Sequence, residues 1–320
     1  MSVLLLVVAA VVCVYVLLYY GLFRGTSCSS DVTLTGKTVI VTGSNTGIGK
    51  ATALELAKRG ARVILACRNK ERAEAAAFDI RRESGNPGVV FLQLDLASLK
   101  SVRAFANNFL QSEPRLDILI NNAGVMSAGR TEDGFDVALG VNHLGHFLLT
   151  ALLLERLQRC GPSRVVTVAS CLHRFGRIDF PLLASRKDCG GGRAPWHSQQ
   201  AYCTSKLCNV LFTRELANRL EHSSVTCYCL DPGVVSTELS RHVSWWQRLL
   251  WMPLEKLFLL DPGAGSQSTL HCALQEGIEP LSGRYFSNCA PQQVGAKARD
   301  DAVAKKLWEV SEKLTSSKQD

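Results

Sequence analysis

A phenol and an ammonium group stand four residues apart in the segment Tyr202-Cys203-Thr204-Ser205-Lys206. On a helix, residues i and i+4 share one face. A lysine beside a tyrosine favours the phenolate, so we expect the pKa of Tyr202 to lie below its usual value of about 10. Such a tyrosine can donate or accept a proton at a carbinol or carbonyl oxygen. Because this spacing is common on helix surfaces, it indicates a site only in the company of other motifs.

A glycine-rich segment, Thr42–Gly49 (TGSNTGIG), carries a second kind of chemistry. It lies between an apolar β-branched run and a helix-forming run, and glycines there let backbone N–H groups approach a pyrophosphate at a helix N-terminus. The spacing is Gly-x-x-x-Gly-x-Gly and differs from the common Gly-x-Gly-x-x-Gly pattern. Tight packing alone can also require such glycines, but the strand–turn–helix context favours a dinucleotide site.

The residues after the second apolar run indicate which dinucleotide would bind. An acidic residue at this place bonds the ribose hydroxyls of NAD, whereas arginine suits the 2′-phosphate of NADP. The sequence here is Cys67-Arg68-Asn69, without an acid. Arg68 therefore favours NADP(H), and the alternative is an ordinary solvated arginine.

Alternating strand-like and helix-like segments position these residues. Continuous apolar strands separated by helices are typical of a parallel sheet covered on both faces. We predict one α/β domain with a doubly wound, Rossmann-type parallel sheet over residues 37–290 and a helical tail over 291–320. Strands are predicted at 37–42, 62–67, 89–94, 116–121, 164–169, 225–230 and 283–287, and helices at 47–59, 70–84, 98–112, 135–158 and 199–221, with a further helix capped by Asp261.

The composition narrows the classes of protein. With 320 residues, 47% hydrophobic and 20% charged, the chain is too apolar for a disordered protein and lacks collagen or coiled-coil bias. The net charge of +8 is spread along the chain, so no nucleic-acid-binding tail is predicted. The twelve cysteines form no Cys-x-x-Cys or zinc spacing, so we predict no metal site and reduced, buried thiols, with a luminal disulfide-bonded protein as the alternative.

The N-terminus is a separate segment. Residues 3–23 form 21 uncharged residues, about the length that spans a bilayer as a helix. We predict a membrane anchor over residues 1–25 and a linker over 26–36. Because Arg24 and Lys37 follow the span and no Lys or Arg precedes it, the bulk of the chain is predicted on the cytosolic side. A cleaved signal peptide, and hence secretion, is the alternative.

Several motifs together resemble the short-chain dehydrogenase/reductase family, and the resemblance covers the whole domain. The family's Asn-Asn-Ala-Gly motif matches residues 121–124, and its helix asparagine, strand-end serine and Tyr-x-x-x-Lys pair match Asn142, Ser170, Tyr202 and Lys206. The cofactor-binding positions that this resemblance implies are Gly43, Ser44, Asn45, Gly47, Ile48, Gly49, Arg68, Asp95, Leu96, Asn122, Ala123, Gly124, Tyr202, Lys206, Pro232, Gly233 and Thr237.

The resemblance also implies the role of each catalytic residue. Tyr202 is the general acid–base, and Lys206 lowers its pKa and bonds the nicotinamide ribose. Ser170 binds the substrate oxygen, and Asn142 interrupts its helix and positions a water of the proton relay. Two departures stand out. Ala169 replaces a frequent serine. Ser170 and Tyr202 are separated by 32 positions, and the stretch between them includes a glycine-rich insertion at 186–197, which affects the predicted substrate entrance.

Within the family, the segments GVNHLGHFLLT and KLCNVLFTRELANRL are similar to the retinol dehydrogenase branch. This implies an NADP(H)-dependent, membrane-bound oxidoreductase of the endoplasmic reticulum acting on a lipophilic alcohol or aldehyde, with retinol and retinal as one candidate pair. The alternatives are a steroid or lipid-aldehyde reductase and a catalytically idle NADP-binding scaffold. A homodimer is left open. The aromatic segment at 243–260 is interpreted either as a hydrophobic lid or as a core-packing helix pair.

Overall fold

The computed structural model describes residues 26–184, 195–235 and 260–316. The strands are β1 (Thr38–Thr42), β2 (Arg62–Cys67), β3 (Val89–Gln93), β4 (Ile118–Asn121), β5 (Ser163–Val168), β6 (Val225–Asp231), β7 (Tyr285–Ser287) and β8 (Ala290–Gln292). They form one sheet in the order β3-β2-β1-β4-β5-β6-β7-β8, with β8 antiparallel and the others parallel.

Helices cover both faces of this sheet, so the predicted doubly wound architecture is confirmed. In β1, Val39 and Val41 join the apolar cluster on one face and Ile40 joins the cluster on the other, as alternation along a strand requires. Helices α1 (Gly47–Lys58), α2 (Lys70–Ser84) and α7 (Pro262–Leu274) pack on the first face. Helices α3 (Leu99–Ser112), α4 (Val137–Cys160), α6 (Pro195–Arg219) and α8 (Asp301–Ser316) pack on the second, and a short α5 (Phe180–Ala184) lies beside them.

Helix α4 contains a wide π-helical turn at Gly140–Leu144. There the Gly145 N–H bonds the Gly140 carbonyl oxygen, five residues back. Among the described residues, α4 is the one helix long and apolar enough to cross a membrane, but most of it is buried. Leu149, Leu153 and Leu157 are fully buried in it, so α4 is a core helix of this domain. The predicted anchor at residues 3–23 lies outside the described residues.

The C-terminal segment packs into the same core. Helix α8 lies against α6 and α4, and its Leu307 and Trp308 are buried there. Strand β8 begins at Ala290, where the domain was predicted to end. Its three residues and its proline weaken any sequence signal for a strand, although proline is tolerated at a sheet edge. The described part of the predicted tail is therefore continuous with the domain.

The predicted linker also contacts the domain. Its backbone is irregular, but the Cys28 N–H donates to Gln267 Oε1 at 2.9 Å and the Ser30 hydroxyl donates to the Leu274 carbonyl oxygen at 3.2 Å. Leu34 is buried in the cluster on the α1 face. These contacts hold Cys28 and Ser30 against helix α7, while the Leu34 N–H donates to the Arg59 carbonyl oxygen after α1.

Candidate active site

The glycine-rich loop joins the end of β1 to the start of α1, and its glycines are sterically required. Gly43 has a φ of +64°, and a Cβ there would lie 2.9 Å from Ala123. A Cβ on Gly49 would lie 2.5 Å from Asn122 Nδ2 and 2.5 Å from the Gly43 carbonyl oxygen. The loop is therefore pressed against residues 122–123, which follow β4.

The first turn of α1 can receive an anion. Thr46 precedes the helix in an extended conformation, and its side chain makes no capping hydrogen bond. The N–H groups of a helix's first turn have no partners within the helix, and the helix dipole favours negative charge beside them. Together with the glycine loop, this uncapped end fits a pyrophosphate.

Thr42 and Asn122 form the floor beneath this loop. The Thr42 hydroxyl accepts the Asn122 N–H at 2.9 Å and the Ala123 N–H at 3.0 Å. The Asn122 side-chain amide donates to the Thr42 carbonyl oxygen at 2.8 Å. These hydrogen bonds hold the carboxyl ends of β1 and β4 together.

The adenosine end of the predicted cofactor site offers an arginine and no carboxylate on β2. Arg68 is exposed directly after that strand, while Asn69 caps α2 by accepting the Arg72 N–H at 2.7 Å. Ser44 is fully buried, and its hydroxyl donates to the Val41 carbonyl oxygen at 2.8 Å. After β3, one oxygen of the Asp95 carboxylate accepts the Ala97 N–H at 2.9 Å, and Leu96 is buried.

The predicted catalytic residues converge around Gly124. From a Cβ placed on Gly124, the Lys206 ammonium would be 3.4 Å away and Asn142 Oδ1 3.7 Å away. Lys206 Nζ donates to the Val168 carbonyl oxygen at 2.8 Å and lies 5.5 Å from the centroid of the Tyr202 ring. The Ser170 hydroxyl lies close enough to the Tyr202 phenol to lower its pKa. Residues from α4, β5 and α6 thus meet at the carboxyl end of the sheet.

The Asn142 side chain is held on three sides within the π-helical turn. Its Oδ1 accepts the Val125 N–H at 2.8 Å, and its Nδ2 donates to the Val125 carbonyl oxygen at 3.0 Å and to Ser205 Oγ at 2.9 Å. Asn142 is fully buried. The predicted interruption of the helix at Asn142 is therefore present, and it ties α4 to α6.

Burial changes the ionisation of the catalytic pair. It raises the pKa of Tyr202 above its usual range, and the hydrogen bond from Ser170 only partly opposes this. It lowers the pKa of Lys206 to about 8. The expected lowering of the Tyr202 pKa by Lys206 is therefore wrong for the protein by itself, because desolvation disfavours the charged form of both groups.

The segment after β6 completes the site. Gly233 has a φ of +81°, and its N–H donates to Asp231 Oδ1 at 3.1 Å. Val235 and Leu260 pair as a parallel β-bridge, and the Leu260 N–H donates to the Val234 carbonyl oxygen at 2.9 Å. Thr237 and residues 243–259 of the predicted lid lie outside the described residues, as does most of the 186–197 insertion.

Two histidines on α4, His143 and His146, follow Asn142 within one turn. Both are fully buried. His143 Nε2 lies 2.8 Å from Ser311 Oγ on α8, and His146 Nε2 lies 2.9 Å from Thr42 Oγ1. Burial lowers the pKa of His143 to about 4 and that of His146 to about 3, so both are neutral. The described residues contain no cluster of three or more metal-ligating side chains.

The chain is similar to known proteins over most of its length. A family model described as short chain dehydrogenase matches residues 37–188 and 189–248. A human protein named dehydrogenase/reductase SDR family member 13 is 58% identical over 302 residues, which cover 94% of this chain and 78% of that protein. Human retinol dehydrogenase 12 is 53% identical over 291 residues, covering 90% of this chain and 89% of its own length.

A solved structure has the same fold. The crystal structure of an uncharacterised protein from Mycobacterium paratuberculosis superposes with a TM-score of 0.72 at 36% identity. The match covers 92% of this chain and 98% of that one. The overall fold thus recurs in a protein whose structure was solved independently.

Proposed function

This chain belongs to the short-chain dehydrogenase family of oxidoreductases, and from that premise we propose that it is an NADP(H)-dependent enzyme that interconverts a lipophilic alcohol and its aldehyde or ketone. The convergence of Ser170, Tyr202, Lys206 and Asn142 around Gly124, beside the glycine loop, carries the proposal. Retinol and retinal are the proposed pair, because relatives at about half identity are named retinol dehydrogenases.

In the proposed mechanism, Tyr202 transfers a proton at the substrate oxygen. The bound nicotinamide supplies or accepts the hydride. The Ser170 hydroxyl, which lies beside the Tyr202 phenol, donates to the carbonyl oxygen and orients it toward the phenol. Burial keeps Tyr202 protonated, which is the form that donates a proton to a carbonyl oxygen.

Lys206 and Asn142 support this transfer. The Val168 carbonyl oxygen holds the Lys206 ammonium close to Gly124, where it would bond the ribose of the cofactor. Asn142 bonds the backbone of Val125 and the Ser205 hydroxyl, so it fixes the relative position of α4 and α6. We propose that its backbone carbonyl holds the water that reloads the proton on Tyr202.

The exposed apolar side chains nearest the site support a lipophilic substrate. Phe175 ends the 3-10 helix that begins after Ser170 and is 65% exposed, and Val234 follows Gly233 and is 58% exposed. Large apolar side chains at such exposure are few among the described residues, and two of the three follow Ser170 or Gly233 closely in sequence. A hydrophobic alcohol or aldehyde would cover them.

The cofactor preference rests on Arg68. It is the exposed cation at the end of β2, with no acid to bind the ribose hydroxyls. The glycine loop and the uncapped start of α1 fit the pyrophosphate that NAD and NADP share. Since cellular NADPH is mostly reduced, carbonyl reduction is the direction that this preference favours.

One experiment tests the activity. The full chain in microsomes or detergent is assayed for NADPH oxidation with all-trans-retinal and with medium-chain aldehydes, beside Tyr202→Phe. We expect turnover that Tyr202→Phe lowers at least a hundredfold, the usual weight of a general acid. Turnover of medium-chain aldehydes as fast as that of all-trans-retinal would favour a general aldehyde reductase. No Tyr202-dependent turnover on any carbonyl would favour the idle scaffold.

We further propose that residues 1–25 anchor the chain in the endoplasmic reticulum membrane with residues 37–290 in the cytosol. The support is the uncharged run at 3–23 followed by Arg24. Protease protection in microsomes, together with the mass of the mature N-terminus, tests this. Protection of the domain or cleavage near Ser27 would favour the luminal or secreted alternative.

A further inference from the structure

His146 occupies a buried position between the floor of the cofactor site and the catalytic asparagine. Its Nε2 lies 2.9 Å from Thr42 Oγ1, at the end of β1. Its Nδ1 lies 3.1 Å from the backbone carbonyl oxygen of Asn142, one turn earlier in α4. The imidazole therefore joins two segments that are far apart in sequence and adjacent in the site.

The hydrogen-bond partners determine where the proton of this imidazole resides. A carbonyl oxygen can only accept, so Nδ1 must carry the proton and donate to Asn142. Nε2 is then an acceptor and receives the single proton of the Thr42 hydroxyl. That hydroxyl already accepts two N–H groups, from Asn122 and Ala123, and its other acceptor contact, with the Ile120 carbonyl oxygen, is longer at 3.3 Å.

A charged His146 would have no acceptor for its second proton. The Thr42 oxygen is occupied, the ring is fully buried, and the Lys206 ammonium lies close enough to oppose a positive charge. The imidazole is therefore fixed in one neutral tautomer, with both nitrogens satisfied. Among buried polar groups, such a complete set of partners holds a side chain rigidly in place.

We propose that His146 is a positioning residue of the proposed reaction. It fixes the position of the Asn142 carbonyl relative to Thr42 and Asn122. Through Nδ1 it orients the carbonyl that would hold the relay water. Through Nε2 it orients the Thr42 hydroxyl, on which the backbone of residues 122–123 depends. The effect on the Asn142 carbonyl rests on the proposed function, whereas the effect on the Thr42 hydroxyl rests on dinucleotide binding alone.

Two substitutions separate these effects. In His146→Gln, the side-chain amide reaches the place of Nε2, so the bond to Thr42 can be kept while the donor to Asn142 is lost. In His146→Asn, the amide reaches the place of Nδ1, so the donor to Asn142 can be kept while the bond to Thr42 is lost. His143→Asn is the matched control, because His143 is equally buried on the same turn but bonds Ser311 on α8.

The full chain is measured for kcat with all-trans-retinal, for NADPH affinity by the fluorescence of the bound cofactor, and for Tm. We expect His146→Gln to lower kcat at least about tenfold, since small misplacements have large effects on rate, with NADPH affinity within about twofold. His146→Asn should weaken NADPH binding about tenfold, the effect of about 1.4 kcal/mol, with kcat at saturating NADPH near the wild-type value. His143→Asn should lower Tm alone.

The outcomes separate this inference from the proposed activity. If both His146 variants behave like His143→Asn, the residue only packs and the inference is overturned. If the wild type binds NADPH but reduces no carbonyl, the proposed activity fails, and the binding measurement on His146→Asn still decides the role of His146. If the wild type binds neither NADPH nor NADH, both proposals are wrong.

Discussion

The Lys206 ammonium donates to the Val168 carbonyl oxygen at 2.8 Å and lies 5.5 Å from the centroid of the Tyr202 ring. The lysine is thus anchored to the end of β5, and its charge is carried in a fully buried place. Burial lowers the pKa of Lys206 to about 8, close to the pH at which the enzyme would work. The charge on this group is therefore sensitive to modest changes in pH.

The first prediction concerns that sensitivity. A lysine with a lowered pKa keeps its charge below about pH 8 and loses it above, so kcat for carbonyl reduction should fall as pH rises through about 8. A pH–rate profile at saturating NADPH measures this. Lys206→Arg keeps its charge throughout this range and should lose the alkaline fall, with a lower plateau because the guanidinium does not fit the lysine site. A wild-type profile that is flat to pH 9.5 would contradict the prediction.

The second prediction concerns the cofactor. Arg68→Ala should raise the KM for NADPH about 10- to 100-fold, because a hydrogen bond to a charged group contributes about 1.5–3 kcal/mol. The KM for NADH should stay within about twofold, since NADH lacks the 2′-phosphate. Arg82→Ala, which removes an exposed arginine near the other end of α2, is the control. Equal increases in KM for both cofactors would show that Arg68 does not bind the 2′-phosphate.

The third prediction tests the close approach at the glycine loop. Gly49→Ala places a Cβ 2.5 Å from both Asn122 Nδ2 and the Gly43 carbonyl oxygen. Since one of these contacts is backbone, the loop must shift, and we expect dinucleotide binding to fall at least about tenfold, a change of about 1.4 kcal/mol. Gly295→Ala is the control, because no atom lies within 4 Å of its Cβ and its φ is −63°. Isothermal titration with NADPH compares the two variants.

The fourth prediction tests whether α8 belongs to the domain. Leu307 is 2% exposed within the cluster formed with α4 and α6. Leu307→Ala should lower the free energy of unfolding by about 2–4 kcal/mol, as expected for a large-to-small change in a core. Lys305→Ala, at an exposed position on the same helix, should change it by less than about 0.5 kcal/mol. Chemical denaturation of the domain measures both, and equal effects would indicate a detachable tail.

Local sequence patterns were sufficient to predict much of the fold. The bounds of β2 and α2 match the prediction, because β2 is a continuous apolar run and α2 ends at Gly85 in a left-handed conformation. The glycine loop and the Tyr202/Lys206 pair likewise follow from short-range spacing. Strand β8 was not predicted, because a three-residue segment that contains a proline carries almost no sequence pattern. Its residues are recognisable as a strand only through their pairing with β7.

The missed parts of the site depend on tertiary contacts. His146 and Thr42 are 104 residues apart, and no short-range spacing indicates that they meet. A signal did exist in hindsight: a histidine four residues after Asn142 reaches back to its carbonyl on a helix. The predicted direction of the Tyr202 pKa shift was also wrong, because the spacing of two residues in the sequence shows a neighbouring charge but not the degree of burial.

The bridge between Val235 and Leu260 has an evolutionary consequence. Because Val235 and Leu260 pair directly, the two ends of the 24-residue segment between them are already joined after β6. Lengthening a closed loop adds little to its entropic cost of closure, roughly 0.6 kcal/mol for each doubling of length. Insertions and deletions between these two residues would therefore change the free energy of unfolding little, so the length of this segment can vary among descendants of one ancestor while the bridge stays closed.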